Sequence, residues 1–277
     1  MVGTLEFVRL SDALERLLAE SSISLSGEYV DIVDAVGRYA YREYTSRVDL
    51  PPFNRSAVDG VAARFIDIAG ASESSPVVLK LEGAVDVDTV EIPVLKQSEA
   101  VIVSTGAPIP TGADVVIPVE HCQIGGDVVY VYRTYPRYAN ISLRGEDLRV
   151  GDVVVRRGTK LRPWHAAALA ASGYSQVEVF RRPRVAVVNT GDEILKGVIP
   201  NVTYYVVASY VKEVGGDVTY SKVVPDDVEE IARTVREALE VSDIAVVTGG
   251  TSVGARDVVP KALQKLESSR EVFRGIR

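Results

Sequence analysis

Near the N-terminus, Leu10, Ala13, Leu14, Leu17 and Leu18 repeat at helical spacing behind Ser11, with Asp12 and Glu15 in the first turn, and predict a helix. Residues 27–46 read as a short strand followed by a second helical stretch. From Pro76 to Tyr135 the period changes to two. Val77–Leu81, Thr89–Leu95, Ala100–Val103, Val115–Val119 and Val128–Tyr132 read as strands broken by Gly and Pro, which makes a compact β module. Val153–Val155 is a further strand. Pro163 then opens a helix that runs through Ala171 and stops at Gly173, the expected proline-first, glycine-last asymmetry.

The last hundred residues alternate. Arg184–Thr190, Val218–Val224 and Ile244–Val247 are β-branched runs of the kind buried on both faces of a parallel sheet. Between them lie Thr203–Val214, at helical spacing, and the clearest helix of the chain. In that helix Val228, Ile231, Ala232, Val235, Ala238 and Leu239 fall on one face. Strand and helix alternating with short connections predict a parallel α/β unit. The fold class is therefore multi-domain α/β plus β: a helix/strand N-terminal region, a small β module and a parallel α/β domain.

At 277 residues, 47% hydrophobic and 25% charged, the chain has ample core for two or three units. The net charge of −7 with dispersed basic residues argues against nucleic acid as a partner. It also requires that any anionic substrate be held by local donors or a metal. One cysteine, Cys122, excludes an internal disulfide framework; with no membrane-length apolar run and no signal-peptide core, the expected compartment is the cytoplasm. His121, Cys122 and His165 cannot supply a four-ligand zinc site.

Chemistry concentrates at the strand ends. Asp243–Asp257, DIAVVTGGTSVGARD, empties a buried strand into Thr248, Gly249, Gly250, Thr251 and Ser252, closes at Gly254 and places a carboxylate at Asp257. Such a loop can bring backbone N–H groups to an anion. It also fits an ordinary glycine-rich turn, because neither a GxGxxG nor a P-loop pattern is present. Asp192, Glu193, Asp226, Asp227 and Asp257 gather at the same sheet edge, which suggests a hard cation such as Mg²⁺ bridging a phosphate-bearing substrate. Any one of them alone also fits a helix N-cap or first turn. In the first half, Ser56–Gly60 reads as a tight loop displaying Asp59, and Ser104–Ala113 as a rigid loop with hydroxyls.

PPFNRSAVDG, STGAPIPTGADVVIPVE, RGEDL, RVAVVNTGDEIL and TGGTSVGARD, in that order, resemble the molybdopterin molybdenumtransferase family, of the MoeA and gephyrin E-domain type. The resemblance implies an enzyme that inserts molybdate, or tungstate, into adenylylated molybdopterin with Mg²⁺ and releases AMP. It implies an elongated homodimer, with the active site between the β module of one subunit and the α/β domain of the other. A molybdopterin-adenylylating enzyme is the implied supplier and partner. Domains would run over 1–50 with 140–180 (dimerisation), 51–139 (small β domain) and 181–277 (molybdopterin-binding). The family's catalytic positions fall on Asp59, Thr105, Asp147, Glu193, Asp226 and Asp257. Glu193, Asp226 and Asp257 would hold the metal, and Thr248, Gly249, Gly250, Thr251, Ser252 and Gly254 the pterin or its phosphate.

Four departures stand out. Val58 replaces a usual Met, Asn54 a common Asp, and Thr203 a usual Asn at a helix start, where it is expected to cap. The family continues beyond a segment like Glu271–Arg277 into a basic PGKP-type loop, a proline-rich loop and a further β domain. The implied member is thus C-terminally truncated, with Val272–Ile276 on an open edge. The alternatives are a catalytically incompetent dimeric binding or scaffold paralogue, and an adenylyltransferase of the single-domain type, which leaves the first half unexplained.

Overall fold

A computed structural model describes residues 7–21, 23–249, 258–267, 269–273 and 275–276. The chain divides into two compact units, residues 31–34 with 42–177, and residues 1–30 with 35–41 and 178–277.

The 42–177 unit is built on a six-stranded sheet, in the order Val115–Pro118, Gly60–Ala63, Glu99–Val103, Val77–Val85, Val128–Val131 and Cys122–Gly125. Every neighbouring pair is antiparallel except Val77–Val85 with Glu99–Val103. The period of two sends alternate side chains to opposite faces. Val61, Ala63, Val115 and Ile117 pack with Leu79 and Val129 in one cluster, while Ala62, Val116, Val101 and Val103 pack in another. Both faces are covered, which is why so many of its strand residues are apolar without strict alternation. At the sheet's edge, the His121 ring Nδ1 pairs with the Tyr135 hydroxyl at 2.6 Å. Burial and the neighbouring Glu120 push the Cys122 thiol up to about 12, so it stays protonated.

In the second unit a parallel three-stranded sheet runs Asp217–Val224, Arg184–Thr190, Ile244–Thr248. The central strand is buried from Val185 to Thr190, as a strand covered on both faces must be. Helices Val202–Glu213 and Val228–Val241 make the crossovers. The second of these buries Ile231, Ala232, Val235 and Ala238 against Ala186, Val188 and Val224. Its Leu239 stays 45% exposed. Strand starts are clamped by Asp243, whose carboxylate accepts both guanidinium nitrogens of Arg181 (2.6 and 2.7 Å) and the Arg184 N–H (2.8 Å).

Several expectations are corrected. Thr89–Leu95 is not a strand; it contributes a single bridge, Val94 to Thr111. Pro93 cannot donate to a ladder, and Val90 is 93% exposed. Residues 32–38 form turns rather than a helix, with Gly37 at φ +88°. Cys122–Gly125 is an additional strand, in a hairpin with Val128–Val131. The first helix spans Leu10–Glu20 with Arg9, not Ser11, at its N-cap, and of its apolar stripe only Ala13 is buried. Of Val272–Ile276 only Gly275–Ile276 is strand, and it pairs in parallel with Phe7–Val8 as one edge of a two-stranded sheet. Among the described residues no helix is long and apolar enough to cross a membrane.

Candidate functional site

In the 42–177 unit the Asp59 and Thr105 loops are tied backbone to backbone. Ser56 N–H donates to the Ala107 carbonyl (2.9 Å) and Gly106 N–H to the Ser56 carbonyl (2.8 Å). The turn is tightened by the Ser56 hydroxyl, which donates to the Val58 carbonyl at 2.6 Å. Gly60 follows because a Cβ there would lie 2.2 Å from the Ile117 carbonyl oxygen. Residues 46 positions apart thus meet: Asp59 Oδ1 accepts the Thr105 N–H at 2.6 Å and the Thr105 hydroxyl at 2.9 Å. These bonds, the backbone one first, hold the exposed Asp59 carboxyl below the usual carboxylate range.

Asp147 belongs to the same unit. Its backbone N–H donates to the Leu50 carbonyl at 2.9 Å, and its side chain is exposed. Its neighbours in RGED are structural. Glu146 accepts the Leu143 N–H at 2.9 Å, the first cause of its lowered pKa, and the Ser142 hydroxyl adds to it. Arg144 gives its Nε–H to Asp49 Oδ2 (2.7 Å) and its backbone N–H to Asn54 Oδ1 (2.8 Å). No hydrogen bond joins Asp147 to the Asp59–Thr105 pair among the described residues.

In the α/β unit Glu193 and Asp226 follow adjacent parallel strands. Thr190 stands opposite Val224 in register, and Gly191 N–H donates to the Val224 carbonyl at 3.1 Å. Glu193 sits in the first turn of the short helix Asp192–Leu195, and Glu193 and Asp226 are both exposed. Asp227 is the N-cap of its helix, accepting the N–H groups of Glu229 (3.0 Å) and Glu230 (2.9 Å). The neighbouring carboxylates therefore divide: Asp227 is spent on the fold and Asp226 is not.

Beneath this edge runs a polar network that sequence reasoning missed. The buried Asn189 gives its Nδ2–H to Thr248 Oγ1 at 2.6 Å and accepts from Asn201 Nδ2 at 3.2 Å. Asn201 Oδ1 in turn accepts the Tyr204 N–H at 3.3 Å, so Asn201, not Thr203, caps the helix. The available signal was Asn directly ahead of the helical pattern. Gly249 has φ +92°, and a Cβ there would lie 2.4 Å from the Thr190 carbonyl oxygen. Of the expected ligand loop, Thr248 and Gly249 are described; Gly250, Thr251, Ser252, Gly254 and Asp257 lie outside the described residues. Among the described residues no group of three or more carboxylate, imidazole or thiol side chains is placed to hold a metal.

The model of the MoeA N-terminal region (domain I and II) matches residues 8–173, and that of a probable molybdopterin binding domain matches residues 186–277. A molybdopterin molybdenumtransferase of Staphylococcus aureus (strain Mu50) is similar at 31% identity over 268 residues, 94% of this chain and 64% of the relative. A putative molybdopterin biosynthesis protein of Methanocaldococcus jannaschii is 33% identical over 252 residues, 86% of this chain and 61% of its own length. The crystal structure of a molybdopterin biosynthesis MoeA protein from Pyrococcus horikoshii OT3 superposes with a TM-score of 0.83 at 34% identity, over 88% of this chain and 67% of that one. The chain thus spans less than two thirds of the length of these curated relatives.

Proposed function

This chain belongs to the MoeA family of molybdopterin molybdenumtransferases, and from that premise we propose that it inserts molybdate into adenylylated molybdopterin, with release of AMP, in molybdenum cofactor biosynthesis. The observation that carries the reading is the doubly bonded Asp59–Thr105 pair, formed by the two loops whose motifs bear the family resemblance.

Each molybdate oxygen displaced by a dithiolene sulfur leaves as water and must collect protons on the way. Asp59, held ionised at neutral pH, serves as an acceptor that orients the hydroxyl of Thr105 and a proton-bearing group of the substrate. It does not serve as the proton source. Asp147 presents a second carboxylate from the same unit. Glu193, Asp226 and Asp257 would hold Mg²⁺. The oxygen donors and exposure of Glu193 and Asp226, at the ends of adjacent strands, fit a hard cation. Bound there, the ion would neutralise phosphate charge. Thr248 to Gly254 would contact the pterin or its phosphate through backbone N–H groups.

Leu10, Leu14, Leu17 and Leu18, at least 50% exposed on the first helix, support a homodimer. A molybdopterin-adenylylating enzyme of the cytoplasm would deliver the substrate. The test is AMP release from adenylylated molybdopterin by this chain with molybdate and Mg²⁺. Release above blank, lost in Asp59→Asn, is expected. Binding of the nucleotide without release would instead assign the chain to a scaffold role.

A further inference from the structure

The two loops that carry Asp59 and Thr105 also wall a cleft of about 470 Å³, the size of a small-molecule site. Its apolar side includes Pro52 and Phe53 from ahead of the Asp59 loop, Pro108 from behind Thr105, and Val87. Phe53 and Val87 stay 41% and 60% exposed, although the segments around them are bonded together. The Ile109 N–H donates to the Asn54 carbonyl at 2.9 Å, and the Ser104 N–H to the Val85 carbonyl at 3.3 Å. Exposed apolar side chains gathered in one concavity with a few polar groups mark a ligand site.

The polar lining selects the ligand. Asn54 Oδ1 is occupied by the Arg144 N–H, and Arg144 Nε by Asp49. Thr89 Oγ1 accepts the Asp86 N–H at 2.7 Å. What these bonds leave over are donors: Asn54 Nδ2, the Arg144 Nη groups and the Thr89 hydroxyl proton. Because Asp49 already offsets the charge of Arg144, the lining offers hydrogen bonds more than net charge. Its complement is a flat ring with apolar faces and a strong acceptor on its edge. A pterin presents a ring carbonyl to such donors. Adenine has no carbonyl; its acceptors are ring nitrogens, of which N1 and N7 each lie beside its amino donor.

We propose that this cleft receives the fused heteroaromatic ring of a pterin-type ligand, its face against Phe53 and its carbonyl toward Asn54 and Arg144. The inference rests on the reading that the chain handles a molybdopterin substrate, and it assigns the pterin end, not the nucleotide end, to this cleft.

Fluorescence titration with 6-hydroxymethylpterin, with AMP as competitor, tests it. The expected result is saturable pterin binding that AMP does not displace, weakened about tenfold by Phe53→Ala through lost stacking. Asn54→Asp, which keeps the acceptor for the Arg144 N–H but loses the amide donor, should also weaken it. Equal affinity in wild type and Phe53→Ala overturns the proposal. So does AMP binding that Phe53→Ala weakens, or a dimer that Phe53→Ala dissociates in light scattering while pterin affinity holds. AMP release is read separately. No release together with Phe53-dependent pterin binding overturns the proposed activity and leaves the cleft assignment standing; release with Phe53-independent binding does the reverse.

Discussion

Asp59 and Thr105 share one carboxylate oxygen twice over, Oδ1 accepting both the N–H and the hydroxyl of the threonine. The backbone donor keeps the two loops in register whatever side chain occupies position 105. The hydroxyl donor depends on that side chain and can be removed alone.

Thr105→Val should therefore leave the fold intact and move Asp59 back up toward the ordinary carboxylate value. Wild-type Asp59 has a depressed pKa, so its ionised form persists to lower pH than a free aspartate. In the variant, the acidic limb of the AMP-release profile should shift to higher pH. The rate at neutral pH should fall about tenfold or more, as expected when a proton-handling group loses its partner. Thr105→Ser, which restores the donor, should recover most of the rate. Carboxyl-carbon NMR of Asp59 checks the shift directly, and an unmoved titration in Thr105→Val would remove the basis for this role.

Asp243→Asn should weaken the clamp on the strand starts. The carboxylate is only 11% exposed and is held well below the usual range, first by Arg181 and, after a desolvation cost, by the Arg184 N–H. A loss of about 2 kcal/mol is expected for a charge-assisted pair of this kind. A depressed pKa contributes stability that is present above the unfolded-state value and lost as pH falls toward the folded one. The gap between wild type and variant should thus hold steady from pH 8 to pH 5 and narrow below about pH 4. Urea unfolding at several pH values measures it.

Gly249→Ala should be disruptive, for two reasons. Its φ of +92° is strained for any L side chain, and the added Cβ would meet the Thr190 carbonyl oxygen at 2.4 Å. A cost of about 1–3 kcal/mol is expected, with loss of molybdopterin binding. Thr190→Val is the contrasting case. Its hydroxyl is buried without a hydrogen-bond partner among the described residues, so the apolar isostere should be neutral or stabilising in thermal unfolding. A loss above about 1 kcal/mol there would mean that the hydroxyl is satisfied after all.

Asn201→Ala and Asn189→Ala should separate capping from coupling. The first removes an N-cap, worth about 1 kcal/mol. The second leaves that cap in place but strips Thr248 Oγ1 and Asn201 Nδ2 of their partner at a buried position, and should cost more. Equal losses, measured by denaturant midpoint, would mean that Asn189 couples nothing.

Period and punctuation alone determined much of this molecule. Arg184–Thr190 has to be a doubly covered strand because its β-branched run has no polar face. Val228–Val241 has to be a helix because its apolar residues recur at three and four. Pro163–Ala171 carries its own start and stop, and the order of five motifs carries the family. Tertiary structure decided what local pattern cannot encode. Thr89–Leu95 is as apolar as a strand, but Pro93 cannot donate and Val94 makes only an isolated bridge to Thr111, which leaves the segment a loop. Arg9 caps where Ser11 was expected, and Asn201 where Thr203 was, because a cap is set by where the chain turns and not by the nearest hydroxyl. Asp227 and Asp226 are indistinguishable as letters; only the helix start shows which carboxylate is consumed by backbone N–H groups. That Thr105 answers Asp59 across 46 residues follows from the pairing of Ser56 with Gly106 and Ala107. Such long-range pairing is a property of the packed sheet and its loops, not of either segment.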